Sequence, residues 1–152
     1  MKSIKDFADI TIITEYKRRF ESIGETISKA EISAHQARRL LLDPGLAHDR
    51  EHFGVIFLDG QNKMIKSEVL FSGSITTSAV YPREVIKKIL EYEAAHIILC
   101  HNHPSGEITP SSSDRAVTKK LQTACDSIDV QILDHIIIGK AEYYSFNDHH
   151  LI

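Results

Sequence analysis

Residues 100–109 read CHNHPSGEIT, and Pro110, Ser111 and Asp114 follow closely. This stretch decides the fold, because it carries a short apolar run through a Pro-Ser-Gly break into a helix start. Within it His101, His103, Ser111 and Asp114 form the pattern H-x-H-x7-S-x2-D. Side chains two apart on an extended segment point the same way. Two imidazoles on one face, with a carboxylate returning from the next element, make a three-ligand set for zinc. Catalytic zinc keeps three protein ligands and leaves its fourth position open. Two rival readings stand beside this one. The histidines can be loop residues with no ligand role. Asp114 can serve Ser111 as the acid of a capping box, which does not exclude metal binding. Thr109-Pro110 offers a competing cap one register earlier.

Outward from this stretch the periodicity alternates between sheet and helix. On the N-terminal side, Ala8–Tyr16 is rich in β-branched residues and reads as a strand. Ser33–Leu42 reads as a helix that Ser33 caps and Asp43-Pro44-Gly45 stops. The largely apolar HFGVIFLD, from His52 to Asp59, reads as a buried strand; residues 59–62 supply its turn, and MIKSEVLFSG returns as its partner. Thr76–Val80 is expected to add a short extended piece. Pro82 opens a helix through PREVIKKILEYEAA, and Ala95–Cys100 is the strand that ends at the histidines. On the C-terminal side the expectation is a helix over Ser111–Ser127, a strand over Val130–Gly139 and a last short strand over Tyr143–Phe146. The order β-α-β-β-β-α-β-α-β-β describes a mixed α/β sheet with helices on its faces. Open α/β sheets bind ligands just past the carboxyl ends of their strands, which is where the histidine pair falls.

A chain of 152 residues with net charge −3 favours one globular domain and offers no global field for nucleic acid or anionic membrane. No apolar run approaches the roughly 18 residues of a membrane span, and MKSIKDFADI carries acids where a signal peptide needs an apolar core. The expected location is cytoplasmic. Cys100 and Cys125 are then free thiols, with Cys100 facing the core. Glu51 has two readings. It is a solvated charge, or it takes a proton from a metal-held water if its strand lies beside the histidine pair. Asp134 and His135 alternate across a strand and face opposite ways, so a structural role is expected, with support of a metal ligand as the other reading. His48, His52, His96, His149 and His150 lack partner spacing and read as surface or structural. The adjacent letters His101-Asn102-His103 are not an HNH nuclease motif, which spreads over a hairpin and a helix. The zinc deaminase pattern also fails, since no C-x-x-C occurs.

The runs EHFGVIFLD, YPREV, ILCHNHPSGEITPSSSD, LDHIIIG and YYSF together resemble the RadC family of the JAB/MPN, or JAMM, metalloprotease-like superfamily. The resemblance covers nearly the whole chain and is strongest from Glu51 to Phe146. It implies a mixed sheet flanked by helices, similar in layout to cytidine deaminase. It also implies zinc (Zn2+) on His101, His103 and Asp114. Glu51, matched through E-x-x-G with Gly54, becomes the base that activates a zinc-held water, and Ser111 the residue that holds the tetrahedral intermediate. The expected organisation is an N-terminal strand and linker over residues 1–30, packed on a JAB/MPN domain over 31–152. Full-length relatives often carry a helix-hairpin-helix module, and this chain looks like the short single-domain form.

The expected function is therefore zinc-dependent hydrolysis of a peptide, amide or isopeptide bond, with a peptide or protein substrate. The rival from another class is a DNA-repair-associated or mobile-element accessory protein, binding DNA or a protein partner, with structural or vestigial zinc. It draws on the family name and on the pairs Arg18-Arg19 and Arg38-Arg39, which otherwise read as solvated faces. A metal-dependent nuclease is a third reading, without any phosphate loop or two-metal carboxylate cluster to favour it. Oligomeric state stays open, since the edge of Ala8–Tyr16 can pair with another chain or cap the sheet.

Overall fold

A computed structural model describes residues 23–152. Its elements in chain order are α1 (Ala30–Leu41), β1 (His52–Leu58), β2 (Met64–Ser72), α2 (Pro82–Tyr92), β3 (His96–Asn102), α3 (Ser112–Asp126), β4 (Gln131–Ile138) and β5 (Tyr143–Ser145). The five strands form one mixed sheet in the order β2-β1-β3-β4-β5. Only β3 and β4 run parallel; every other neighbouring pair is antiparallel. The expected α/β class, a mixed sheet flanked by helices, is the architecture found.

Alternation along the central strands builds two cores. Phe53, Val55 and Phe57 of β1, with Ile97 and Leu99 of β3, pack against Val85 and Ile89 of α2 and Val117, Leu121 and Cys125 of α3. Ile56, Leu58, Ile98 and Cys100 face the other way and meet Ala34, Ala37 and Leu41 of α1. Every residue of β1 is buried for this reason: a central strand covered on both faces has no solvent side. The layers are thus α2 and α3, the sheet, and α1.

Local chemistry explains where elements begin and end. The turn after β1 is organised by Asp59, whose Oδ1 accepts the N–H groups of Gln61 and Lys63 at 2.8 and 2.9 Å. Pro82 opens α2, which stops at Glu93 in the left-handed conformation, short of the expected Ala95. Two further expectations are corrected. Ser33 does not cap α1; the helix starts earlier, after Lys29, and the Ser33 hydroxyl donates to the Lys29 carbonyl at 3.3 Å from inside the first turn. Residues 76–80 are a turn rather than a strand, because Thr76 Oγ1 accepts the Ala79 N–H at 3.2 Å and the Thr76 carbonyl accepts that of Val80 at 3.1 Å. The strand expected over Ala8–Tyr16 lies outside the described residues. No helix among the described residues is long and apolar enough to cross a membrane.

Candidate metal centre

Three elements deliver the donors to one point. His101 lies near the carboxyl end of β3, fully buried. His103 follows just beyond it, kept alongside β4 by its N–H bond to the Ile138 carbonyl at 2.9 Å. Asp114 comes from the first turn of α3, where Ser111 is the N-cap. The Asp114 N–H donates to Ser111 Oγ at 3.0 Å, and the Ser111 N–H donates to Asp114 Oδ2 at 2.9 Å. The capping role weighed for Asp114 is thus present, and the box leaves the carboxylate facing the two histidines, so it does not exclude the metal reading. His101 Nε2 lies 2.9 Å from His103 Nε2 and 3.2 Å from Asp114 Oδ1, while His103 Nε2 is 3.2 Å from Asp114 Oδ2. One ligating atom from each residue lies within 4.8 Å of the other two.

Hydrogen positions test whether these donors suit a cation. His103 Nδ1 sits 2.5 Å from the Glu107 carbonyl, which can only accept, so Nδ1 carries the hydrogen of the neutral ring. Its Nε2 is left with a lone pair aimed at a second imidazole nitrogen and a carboxylate. A cation, or a hydrogen on His101 Nε2 or His103 Nε2, must sit among them. Burial alone would raise the Asp114 pKa, but the bonds to His101 and His103 reverse it and hold the carboxyl well below its usual range. The bond to Asp114 pulls His103 upward; burial opposes this, while the Glu107 carbonyl and the charges of Asp114 and Glu51 add to it. Two imidazoles and one carboxylate held this close fit a divalent ion of the zinc type.

Glu51 stands outside the three-donor group, at the threshold of β1. Its Oε2 accepts the Ile75 N–H at 3.0 Å, and its carbonyl accepts the Gly73 N–H at 2.9 Å. Its charge reaches His103. The sequence reading gave no role to Asn102, the buried residue between the two histidines. Asn102 Oδ1 accepts the His52 N–H at 2.7 Å, and Nδ2 donates to the Arg50 carbonyl at 3.1 Å, so one amide holds the backbone on both sides of Glu51. An amide flanked by two candidate ligands was the available signal. His135 was also underread: its Nε2 lies 2.7 Å from His101 Nδ1. Burial pushes the His135 pKa well below the ordinary value, so the ring is neutral near pH 7. Asp134 instead takes the Ser145 hydroxyl at 2.6 Å and the Asn147 N–H at 3.0 Å, a structural clamp on β5.

The model of the RadC-like JAB domain matches residues 32–151. The chain belongs to this family. It is similar to curated proteins named UPF0758. One from Actinobacillus pleuropneumoniae serotype 5b is 54% identical over 102 residues, covering 67% of this chain and 46% of that protein. One from Haemophilus influenzae is 45% identical over 150 residues, covering 98% and 67%. One from Aliivibrio salmonicida is 43% identical over 144 residues, covering 92% and 62%. The chain therefore spans about half the length of the Actinobacillus relative and about two thirds of the others. A RadC-like JAB domain with a His-His-Asp donor group is metallohydrolase-like in its superfamily.

Proposed function

We propose that this RadC-like domain is a zinc-dependent hydrolase of a peptide, amide or isopeptide bond, with a peptide or protein as substrate. The observation that carries the reading is the convergence of His101, His103 and Asp114 at hydrogen-bonding distances, with the His103 lone pair aimed inward. When bound, zinc would polarise the scissile carbonyl and lower the pKa of water at its open position towards roughly 7. His101, His103 and Asp114 would hold it. Glu51 has one oxygen anchored by Ile75 N–H, while Oε1 takes no hydrogen bond among the described residues. Oε1 accepts the proton of the attacking water and returns it to the leaving amine. Asn102 keeps that carboxylate in place through the backbone it straps. Ser111 Oγ accepts its capping bond, so its hydroxyl hydrogen remains to donate to the developing oxyanion. Losing such a donor typically costs about 10²–10³ in rate.

The DNA-associated alternative gains less support. Arg38 directs its guanidinium at the carbonyls of Gly139, Lys140 and Glu142, at 3.4, 3.0 and 3.2 Å. Arg18 and Arg19 lie outside the described residues. A panel of synthetic peptides, lysine-linked isopeptides and duplex DNA, incubated with zinc-loaded protein, tests the proposal. Cleavage of an amide-bond substrate that Glu51→Gln abolishes is the expected result. Turnover unchanged in Glu51→Gln, or salt-sensitive DNA binding with no hydrolysis, overturns it.

A further inference from the structure

His101 approaches the donor cluster with Nε2, and only one of its two neutral tautomers leaves a lone pair there. The tautomer is decided by groups that never reach the metal. Thr118 Oγ1 lies 2.7 Å from the Asp114 backbone carbonyl and 2.6 Å from His135 Nδ1. The carbonyl can only accept, so the single hydroxyl hydrogen of Thr118 goes to it. The contact to His135 Nδ1 then needs its hydrogen on the ring nitrogen. His135 is fully buried, with the ring of Phe146 stacked at 4.6 Å and the ring of Phe53 in a T-shaped contact at 5.8 Å. A neutral imidazole carries one N–H, so His135 Nε2 is an acceptor. His101 Nδ1, 2.7 Å away, must donate to it. The His101 lone pair is thereby forced onto Nε2, the atom 3.2 Å from Asp114 Oδ1.

We propose that His135 and Thr118 are positioning residues that set the metal-binding tautomer of His101 and tie it to the helix turn carrying Asp114. The chain of bonds is closed: it leaves His101 on β3, passes through His135 on β4 and Thr118 on α3, and ends on the backbone of Asp114, itself a ligand. Ligating histidines usually donate their second N–H to a carboxylate, a carbonyl or water. Here a second neutral imidazole takes that place. The whole path from His101 to Asp114 is buried, so water does not compete for any of its hydrogens.

This inference rests on the metal reading, and the experiment separates the two. Cobalt(II) serves as the probe, with affinity measured by chelator competition and coordination by visible absorption. If the unmodified protein binds neither cobalt nor zinc, the metal reading fails and the inference falls with it. If the unmodified protein binds, Thr118→Val should weaken cobalt binding by about 10- to 100-fold, while Thr118→Ser, which keeps the hydroxyl, should bind as the unmodified protein does. His135→Leu should lose a similar factor, and His135→Gln, which retains an acceptor towards His101, should recover most of it. A readout independent of metal is the ¹⁵N spectrum of the histidine rings in the metal-free protein. His101 is expected with its hydrogen on Nδ1, shifting towards Nε2–H in Thr118→Val. This spectrum of the unmodified protein decides the matter even if a variant fails to fold. Unchanged affinity in a folded Thr118→Val protein, or an Nε2–H tautomer at His101 in the unmodified protein, overturns the proposal.

Discussion

At the scale of single residues, protons and metal compete for one nitrogen. His103 Nε2 must be unprotonated to ligate, and its pKa is raised above the ordinary 6.5 by its bond to Asp114, against opposing burial. The sign follows directly. Above the raised pKa the site is ready and affinity is flat with pH. Below it the metal must displace one proton, and each further pH unit weakens zinc by up to about tenfold. The fall should therefore begin above pH 6.5, and calorimetric titration in buffers of different ionisation enthalpy should show proton release on binding. Affinity unchanged from pH 8 to pH 6 would contradict this. The candidate ligands were legible in the sequence because their geometry is local: His101 and His103 lie two residues apart at a strand end, and Asp114 is fixed by its own capping box. His135 was not. Between the pairs Ile97–Ile132 and Ile98–Asp134 the register slips by one residue, which sets His135 rather than Asp134 opposite Leu99. Alternation along β4 shows that the two side chains differ in face. It does not show which of them meets His101.

At the scale of elements, the loop that follows β3 must close onto the end of β4. A Cβ on Gly139 would lie 2.8 Å from the Gly106 carbonyl and 2.7 Å from Ile108 Cγ2, so no side chain fits between them. The same loop carries Glu107, whose carbonyl orients His103. Gly139→Ala should therefore cost about 1–3 kcal/mol by overpacking and weaken metal binding together with stability. Urea denaturation and cobalt titration check the pair. Stability and affinity both unchanged would show that the loop has slack the packing denies. Element identity followed from periodicity, and most boundaries fell within a residue or two. The exceptions have physical causes: Ser33 spends its hydroxyl inside the helix, and Thr76 turns a segment whose composition reads as extended. Long-range contacts stayed out of reach. Asn102 meets His52 across a sequence separation of 50, through the pairing of β3 with β1.

At the scale of the whole molecule, two cores back the sheet, and the buried network beneath the site makes the metal-free fold sensitive to acid. His135 has its folded pKa depressed by burial, so below about pH 6.5 the unfolded chain takes up a proton that the folded chain refuses. Stability should fall there by up to about 1.4 kcal/mol per pH unit from this group alone. Asp114, also depressed, adds a loss of the same sign at lower pH, once the unfolded carboxyl begins to protonate. His103 has the opposite sign, its contribution being lost as pH rises through its raised pKa. In His135→Gln the slope just below pH 6.5 should be shallower by up to one proton, and denaturant titrations at several pH values measure it. Equal slopes would refute the buried neutral ring. The central claim, that two imidazoles and one carboxylate share a single ion, is tested most directly by zinc-edge X-ray absorption on the reconstituted protein. The expected spectrum is a four-coordinate nitrogen and oxygen shell at about 2.0–2.1 Å with two imidazoles, lost in His103→Ala. A zinc-free protein after dialysis, or a sulfur shell at about 2.3 Å marking a cysteine ligand, would contradict it.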